Sequence, residues 1–449
     1  MKLSNKPKKE EETAASSRRD FVKKSALLTG AMVLPTMQMN AMVNMSNGKK
    51  LKIALIGCGG RGTGAASQAL KADDNVELVA MADAFDDRLQ GSFATLSKNF
   101  EGQGKVNVKE KHQYVGFDAA EKAMDQADVV ILTTPPGFRP QHFEYAVKTG
   151  KHVFMEKPVA TDVPGIRRVL AAARVAKEKN LNVVVGLQRH YQNNYIEIKR
   201  RIDAGEVGKI MSGQVYWNSG GVWVRERQPG QTEMEYQMRN WYYFNWLCGD
   251  HILEQHIHNI DIANWFVGET PISAQGMGGR QIRTGKDHGE IFDHHFVEYT
   301  YPSGAVIASQ CRHQPGTWSK VGENFQGTKG TVEMKDAGTA YLRGLGGEEL
   351  FKYRGKNDPN PYQVEHDKLF ASIRNKGVIG NAEYGAHSTM TAIMGRMATY
   401  SGKVINWDEA LKSELVLVPD NLNWNSNPPT MPDADGNYEI PTPGKTIVM

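Results

Sequence analysis

A glycine-rich turn between an aliphatic strand and a helix constrains this chain more than any other feature. Residues 51–56 are rich in aliphatic side chains, as expected of a buried parallel strand. Gly57-x-Gly59-x-x-Gly62 follows directly, and residues 63–70 have a helical composition. These glycines permit a tight turn, close approach of a pyrophosphate and packing of helix on strand. We predict a dinucleotide-binding unit whose helix N-terminus faces the phosphates.

The residue that ends the next strand predicts which dinucleotide binds. Residues 76–82 form a second aliphatic segment, which ends in Asp83 about 20 residues after the glycines. A carboxylate there accepts from a free ribose 2′-hydroxyl and repels a 2′-phosphate, so we expect NAD rather than NADP, although Arg88 lies nearby. Gly60 and Arg61 lie within the glycine turn, and we expect them to contact the cofactor as well.

The alternation of strands and helices continues to about residue 187. Strands are predicted at residues 127–134, 151–155 and 183–187, with helices at residues 142–148 and 164–179 between them. This rhythm predicts a doubly wound parallel sheet with right-handed crossovers. Ligands of such sheets bind beyond the carboxyl ends of the strands.

Two proline-containing segments follow strands of this sheet. Pro135-Pro136 comes after one strand, and Glu156-Lys157-Pro158 comes after the next. Because both lie at carboxyl ends, we expect Lys157 on the nicotinamide side of the cofactor.

The second half of the chain has the pattern of an antiparallel sheet. A turn at residues 302–304 joins two of its predicted strands. The strands are predicted at residues 207–217, 273–278, 295–301, 305–311 and 330–334. The fold class is thus an α/β Rossmann doubly wound parallel sheet plus an α+β domain with a large, mostly antiparallel sheet.

The length of 449 residues exceeds what one hydrophobic core usually supports. We predict a signal or linker at residues 1–48 and an NAD-binding Rossmann domain at residues 49–180. A substrate and oligomerisation domain follows at residues 181–418. Residues 419–449, rich in Pro, Asn and Asp, are predicted to form an extended tail that lies over a neighbouring subunit.

Composition excludes several classes of protein. Hydrophobic residues make up 40% and charged residues 23% of the chain, and the net charge is only +4. These are ordinary globular values, and they do not indicate a nucleic-acid partner. The three cysteines include no Cys-x-x-Cys pair, so neither a disulfide framework nor a structural zinc site built on cysteines is expected.

The N-terminus resembles an export signal. Arg18-Arg19 precedes a weakly apolar run at residues 25–34 that is too short to span a membrane. This arrangement predicts export of the folded protein to the periplasm by the twin-arginine route, without a stable membrane anchor. A disordered basic tail is the alternative interpretation.

From residue 50 to about residue 420 the chain resembles the Gfo/Idh/MocA oxidoreductases, relatives of glucose–fructose oxidoreductase and inositol dehydrogenase. The glycine motif is one of the segments that carry this resemblance. The others are Thr134-Pro135-Pro136…His142, Gly150-Lys151-His152-Val153-Phe154-Met155-Glu156-Lys157-Pro158 and Glu254-Gln255-His256-Ile257-His258-Asn259-Ile260-Asp261.

The resemblance implies roles for particular residues. Lys157 would contact both substrate and cofactor, and His258 would complete the catalytic site together with Glu254, which stands where the family usually has Asp. The further residues that we expect to contact the cofactor are Thr134, Pro135, Pro136, His142 and Glu156. Those that we expect to contact the substrate, besides Lys157 and His258, are Arg189, Trp241 and Tyr242.

The residues support the same chemistry when considered alone. If residues 249–266 form one helix, Glu254 and His258 share a face, and Asp261 follows closely enough to orient the imidazole. A histidine can accept the hydroxyl proton of an alcohol near neutral pH. A cation such as Lys157 can stabilise the developing alkoxide, while the cofactor carries the hydride.

We expect no metal among Glu254, His256 and His258, because side chains two positions apart on a helix point in different directions.

Three functions remain open. The first, which we favour, is NAD-dependent oxidation or reduction of a sugar, polyol or glycoside, with glycoside 3-dehydrogenation preferred. The second is an NAD-dependent glycosidase that uses transient oxidation and elimination, and the third is a non-catalytic sugar or nucleotide sensor. We expect a homo-oligomer, either a dimer or a tetramer.

Overall fold

The first sheet is the predicted nucleotide-binding sheet. The computed structural model describes residues 48–335 and 338–449. Six parallel strands lie in the order β3-β2-β1-β4-β5-β6, which is the Rossmann order. They are β1 Leu51–Ile56, β2 Val76–Asp83, β3 Gln113–Val115, β4 Val129–Leu132, β5 His152–Met155 and β6 Val183–Val185. The sixth strand therefore extends this sheet past residue 180.

Helices connect these strands and cover both faces of the sheet. Their buried faces are rich in Ala, Val, Leu and Ile, which pack against the aliphatic strands. They are α1 Gly60–Ala72, α2 Asp86–Asn99, α3 Ala119–Met124, α4 Arg139–Lys148 and α5 Val163–Glu178, followed after β6 by α6 Asn193–Asp203.

The second sheet has nine strands and is mostly antiparallel, as predicted. Its order is β14-β13-β12-β11-β7-β10-β9-β8-β15, and only the β7–β10 pair is parallel within the described residues. The strands are β7 Ile210–Ser219, β8 Ser273–Gly279, β9 His294–Thr300, β10 Val306–His313, β11 Lys320–Gly327, β12 Gly330–Lys335, β13 Thr339–Gly344, β14 Glu349–Arg354 and β15 Ile405–Asn406.

Further helices lie between these strands and after them along the chain. They are α7 Glu233–Arg239, α8 Asn245–Cys248, α9 His251–Glu254, α10 Ile257–Val267, α11 Pro361–Arg374, α12 Ala382–Ser401 and α13 Trp407–Ala410. The prediction of one helix over residues 249–266 is wrong, because α9 and α10 are separate. The break falls at Gln255 and His256, and the Glu254 carbonyl accepts from Lys157 instead of from a continuing helix.

Two C-terminal segments return to the first half of the chain. Helix α11 packs against α1. Residues 419–449 contain neither helix nor strand, as predicted, and contact their own chain through Trp424 and Tyr438. No helix among the described residues is long and apolar enough to cross a membrane. The Arg18-Arg19 motif lies outside the described residues.

Candidate active site

The glycine turn has the geometry that a dinucleotide requires. Gly57 adopts φ +95°, and its N–H donates to Ala82 O at 2.8 Å. A Cβ on Gly62 would lie 2.0 Å from Gly57 O, so only glycine lets α1 start so close to β1. Gly59 and Gly60 face open space, with nothing within 4 Å of a Cβ built there. The first turn of α1 therefore offers its N–H groups to a pyrophosphate that approaches the backbone.

A cavity of about 400 Å³ opens at this turn. It is lined by most of the residues predicted to bind the cofactor, whereas Pro136, Glu156 and Lys157 are not part of its wall. The predicted residues that line it are Gly57, Gly59, Gly60, Arg61, Gly62, Asp83, Thr134, Pro135 and His142. A cradle of glycine backbone beside an acid at the end of β2 fits NAD.

The Asp83 carboxylate is fixed at the edge of this cavity. It accepts from the backbone N–H of Cys58 at 2.6 Å and of Phe85 at 2.9 Å. Burial raises the pKa of Asp83, while these two hydrogen bonds oppose the rise. Asp83 thus joins the glycine turn to the end of β2, and it remains at the position where a ribose would bind.

Arg61 has a structural environment that the sequence did not indicate. Its guanidinium pairs with Glu156 at 2.5 Å and with Glu365 of α11 at 3.1 Å. It also lies over the rings of Phe154 and Tyr362. Arg61 therefore contributes to the cavity wall while its charge is taken up by two carboxylates. The Glu156 carboxylate thus pairs with Arg61, while the neighbouring Lys157 pairs with Glu254.

Arg139, which sequence reasoning missed, connects two of the strand ends. Its guanidinium donates to Pro158 O at 2.8 Å and to Thr134 O. Thr134 Oγ1 in turn lies 3.2 Å from His142 Nδ1. Burial, and then the charge of Arg139, lower the pKa of His142 to about 3, so this imidazole is neutral. In the sequence, the only hint of this role is that Arg139 stands beside Pro140, shortly after the end of a predicted strand.

Lys157 and Glu254, which the resemblance assigned to one site, form an ion pair. The Lys157 ammonium donates to the Glu254 carbonyl at 2.5 Å and to its carboxylate at 3.0 Å. Their side chains are only 12% and 16% exposed, so the pair is largely shielded from water. The break between α9 and α10 makes this possible, because it frees the Glu254 carbonyl for Lys157.

His258 lies in the first turn of α10, next to this pair. Its ring stacks on Trp217, with centroids 5.8 Å apart. Burial, then the charges of Lys157 and Arg189, hold the pKa of His258 well below its usual value of 6.5. The imidazole is thus neutral near pH 7 and able to accept a proton. His256 instead bonds Ser309 Oγ at 2.7 Å, so Glu254, His256 and His258 do not converge on one point.

The predicted orientation of His258 by Asp261 is wrong. Asp261 binds His190 Nε2 at 2.8 Å and accepts from Ser388 Oγ at 2.7 Å. Both residues lie in α10, but the two oxygens of the Asp261 carboxylate are taken up by His190 and Ser388. His258 Nδ1 is buried and has no hydrogen-bond partner among the described residues.

The three remaining residues predicted to bind substrate lie in different surroundings. Arg189 is buried in an ion pair with Glu323 at 2.5 Å, so the structure places it in the interior. Tyr242 is also buried, and burial followed by the charge of Glu254 raises the pKa of its hydroxyl well above 10. Trp241 lines the cavity opposite the glycine turn, together with Trp223.

The fold and this site define an NAD-binding oxidoreductase with a Rossmann domain. Residues 51–187 match the model of the "Oxidoreductase family, NAD-binding Rossmann fold", and residues 195–333 match that of the "GFO/IDH/MocA C-terminal domain". Together the two models match more than half of the chain. The protein therefore belongs to the Gfo/Idh/MocA family of oxidoreductases.

Individual relatives share about a quarter of their residues with this chain. An inositol 2-dehydrogenase of Rhizobium meliloti is 24% identical over 64% of this chain and 76% of its own length. The 2,7-anhydro-N-acetylneuraminate hydratase of Escherichia coli is 24% identical over 56% of this chain and 63% of its own length.

Solved structures share the fold. The aldose-aldose oxidoreductase from Caulobacter crescentus, complexed with glycerol, has a TM-score of 0.63 at 19% identity, covering 80% of this chain and all of its own. A levoglucosan dehydrogenase in complex with NADH and levoglucosan has a TM-score of 0.62 at 17% identity. The match covers 79% of this chain and 99% of the levoglucosan dehydrogenase chain.

The position of Asp83 predicts how the cofactor preference can be changed. Asp83→Asn removes the negative charge but keeps an acceptor for the backbone. We expect binding of NAD to weaken about tenfold and binding of NADP to improve, because one charge-assisted hydrogen bond and one repulsion are lost. Dissociation constants measured by calorimetry on cofactor-free protein would test this.

Asp86→Asn is the matched control, since Asp86 carries the same charge but does not line the cavity. Unchanged NAD and NADP affinities in Asp83→Asn would contradict the assignment of Asp83 to the ribose.

Proposed function

We propose that this protein is an NAD-dependent dehydrogenase that acts on a secondary alcohol of a sugar, polyol or glycoside, with position 3 of a glycoside preferred. The observation that carries the proposal is the group of Lys157, Glu254 and His258. It combines a shielded cation with a neutral imidazole at the carboxyl edge of the Rossmann sheet.

The roles of these side chains follow from their charges. His258 accepts the proton of the substrate hydroxyl, because its depressed pKa keeps it unprotonated. Lys157 stabilises the negative charge that develops on the substrate oxygen. Glu254 holds the ammonium in place through its carbonyl and carboxylate. Bound NAD supplies the hydride acceptor or donor.

Two tryptophans support a carbohydrate substrate. Trp223 and Trp241 line the cavity with ring centroids 5.7 Å apart, and Arg225 lies over the Trp223 ring. The rings offer apolar faces and the arginine offers hydrogen-bond donors, which together suit the C–H and O–H faces of a sugar ring. The names of the relatives, which include inositol and levoglucosan dehydrogenases, agree with this substrate class.

A second candidate, an NAD-dependent glycosidase, is favoured by the cover over the cofactor cavity. The cover consists of two segments: residues 220–244, five of which line the cavity, and the stretch of the C-terminal tail around Trp424. Arg239 of the first segment pairs with Asp87 at 3.1 Å and lies over the Phe85 ring. Trp424 of the second segment packs on Phe85 and Phe117, which line the cavity. A retained cofactor suits a reaction that oxidises and then reduces its substrate.

Incubation with NAD and a panel of polyols, sugars and aryl glycosides would distinguish the two candidates. Net formation of NADH, with a 3-keto product from a glycoside, is expected for the dehydrogenase. Release of the aglycone without net NADH would favour the glycosidase. Binding of ligand without either reaction would contradict both candidates.

The charge of Lys157 predicts a change in rate and in pH dependence. Lys157→Met retains length and packing, so folding and NAD binding should persist. We expect kcat to fall by about 10²-fold or more, as for loss of one oxyanion-type donor. Because the Lys157 charge lowers the pKa of His258, its removal raises that pKa. The acid limb of the kcat/KM profile should therefore move to higher pH.

Lys151→Met is the control, since Lys151 immediately precedes the same strand and its ammonium donates to the backbone carbonyl of Ala127. Glu156→Gln, which weakens the Arg61 pair, should cost less than Lys157→Met. A wild-type rate with an unshifted acid limb in Lys157→Met would show that the lysine has no part in the chemistry.

We propose further that the protein is exported by the twin-arginine route to the periplasm with NAD already bound. Arg18-Arg19 supports the route, and the cover supports retention of the cofactor. NAD should then copurify with the exported protein, detected by absorbance and mass analysis after denaturation. Trp424→Ala should speed release of NAD about tenfold by removing two aromatic contacts.

Trp318→Ala provides the comparison, because Trp318 is 58% exposed and does not line the cavity. Exported wild-type protein without NAD would refute retention, whatever the outcome of the activity tests.

A further inference from the structure

A group of buried side chains of the types that can bind a metal ion includes two residues close to Glu254 in sequence. Asp250 and His251 stand at the start of α9, and His295 comes from β9 of the large sheet. Each offers one ligand atom, and these atoms lie within 4.8 Å of one another. All three side chains are fully shielded from solvent. The group differs from the set of Glu254, His256 and His258 considered above, and the reaction proposed above does not use it.

The backbone of Asp250 is held in an unusual conformation. Its φ of 76° and ψ of 161° fall in a region that is almost restricted to glycine. Asp250 Oδ2 accepts from Phe292 N at 3.0 Å and from Tyr400 Oη at 2.5 Å. These contacts direct Oδ1 towards the two imidazoles. A strained residue whose carboxylate is aimed in this way is typical of a functional position.

Two ring nitrogens lie close to Asp250 Oδ1, which also accepts from the backbone N–H of His251 at 2.5 Å. His251 Nδ1 lies 2.8 Å and His295 Nε2 lies 3.2 Å from this oxygen. Yet neither nitrogen has a hydrogen-bond partner among the described residues, and neither has His251 Nε2. Buried polar atoms are nearly always paired. Two imidazole nitrogens and a carboxylate oxygen that come together in a buried place, with the imidazole nitrogens left unpaired, suit a shared cation.

The surroundings of His295 support this interpretation. Its other ring nitrogen, Nδ1, lies 3.0 Å from Thr399 Oγ1. Such a contact fixes the orientation of the ring, as is usual for histidines that bind metals. Cys311 stands opposite His295 in the β9–β10 pairing, so its thiol lies on the same face of the sheet.

We propose that Asp250, His251 and His295 bind a divalent transition-metal ion, with Zn²⁺ as the best match. The ligand atoms are Asp250 Oδ1, His251 Nδ1 and His295 Nε2, and a water would complete the coordination. Two imidazoles with a carboxylate suit zinc, and a closed site suits a structural ion. The ion connects α9 to β9. Because α9 ends at Glu254, the ion would also fix the position of Glu254, the residue that holds the Lys157 ammonium.

Metal analysis of the untagged full-length protein, purified with its cofactor from zinc-supplemented cells, tests the proposal. After dialysis we expect about one zinc ion per chain, bound tightly enough to be removed only by a strong chelator. Removal should lower the Tm, and added Zn²⁺ should restore it. Protein loaded with Co²⁺ should show the visible absorption bands of a low-symmetry site.

Variants identify the ligands. His295→Gln and Asp250→Asn should each lose the ion, whereas His256→Gln should keep it. His256 is equally buried on the same segment, but its Nε2 bonds Ser309.

If the ligand variants do not fold, the chelator experiment on wild-type protein decides alone. Wild-type protein that holds no zinc, cobalt or manganese, and whose Tm responds to neither chelator nor metal, would overturn the proposal. These readouts do not depend on catalytic activity.

Discussion

The contact between the Lys157 ammonium and Glu254 determines how the two halves of this protein form one site. Lys157 follows β5 of the Rossmann sheet, and Glu254 ends α9 beside the large sheet. A shielded ion pair needs further hydrogen bonds to offset the loss of hydration. Here the Glu254 carbonyl supplies one, and it can do so only because the helix stops at that residue. The interruption that ends α9 thus also places His258 at the start of the next helix.

The electrostatics around this contact are consistent with one another. The positive charges of Lys157 and Arg189 disfavour protonation of His258, and Arg139 does the same for His142. Buried carboxylates compensate several of the cations, as Glu323 does for Arg189. The imidazoles at the carboxyl edge of the sheet are therefore kept neutral by burial and by fixed neighbouring charges, without need of an acid to orient them.

The sequence predicted the features that depend on local pattern. The glycine turn, Asp83 at the end of β2 and the parallel strands could be found because spacing and composition determine them, whereas Lys157 and Glu254 were placed in one site only by the family resemblance. The course of the chain from Gly249 to Phe266 could not be predicted, since an apolar helical pattern does not show that a distant ammonium will take a carbonyl. The roles of Arg139, Glu323 and Glu365 depend on contacts between segments far apart in sequence. The ion pair of Arg189 with Glu323 could not be predicted either, because the pattern did not indicate β11, the strand that carries Glu323.

The Arg61 ion pairs have a consequence for the modularity of this protein. One guanidinium in the glycine turn joins β5, through Glu156, to α11, through Glu365. The nucleotide-binding part of the chain is therefore not an independent cassette. A chimera that kept α11 but took residues 51–187 from a relative with no arginine at the position of Arg61 would leave the buried Glu365 without its cation. In that case the segment at residues 361–374 must be inherited together with the glycine turn.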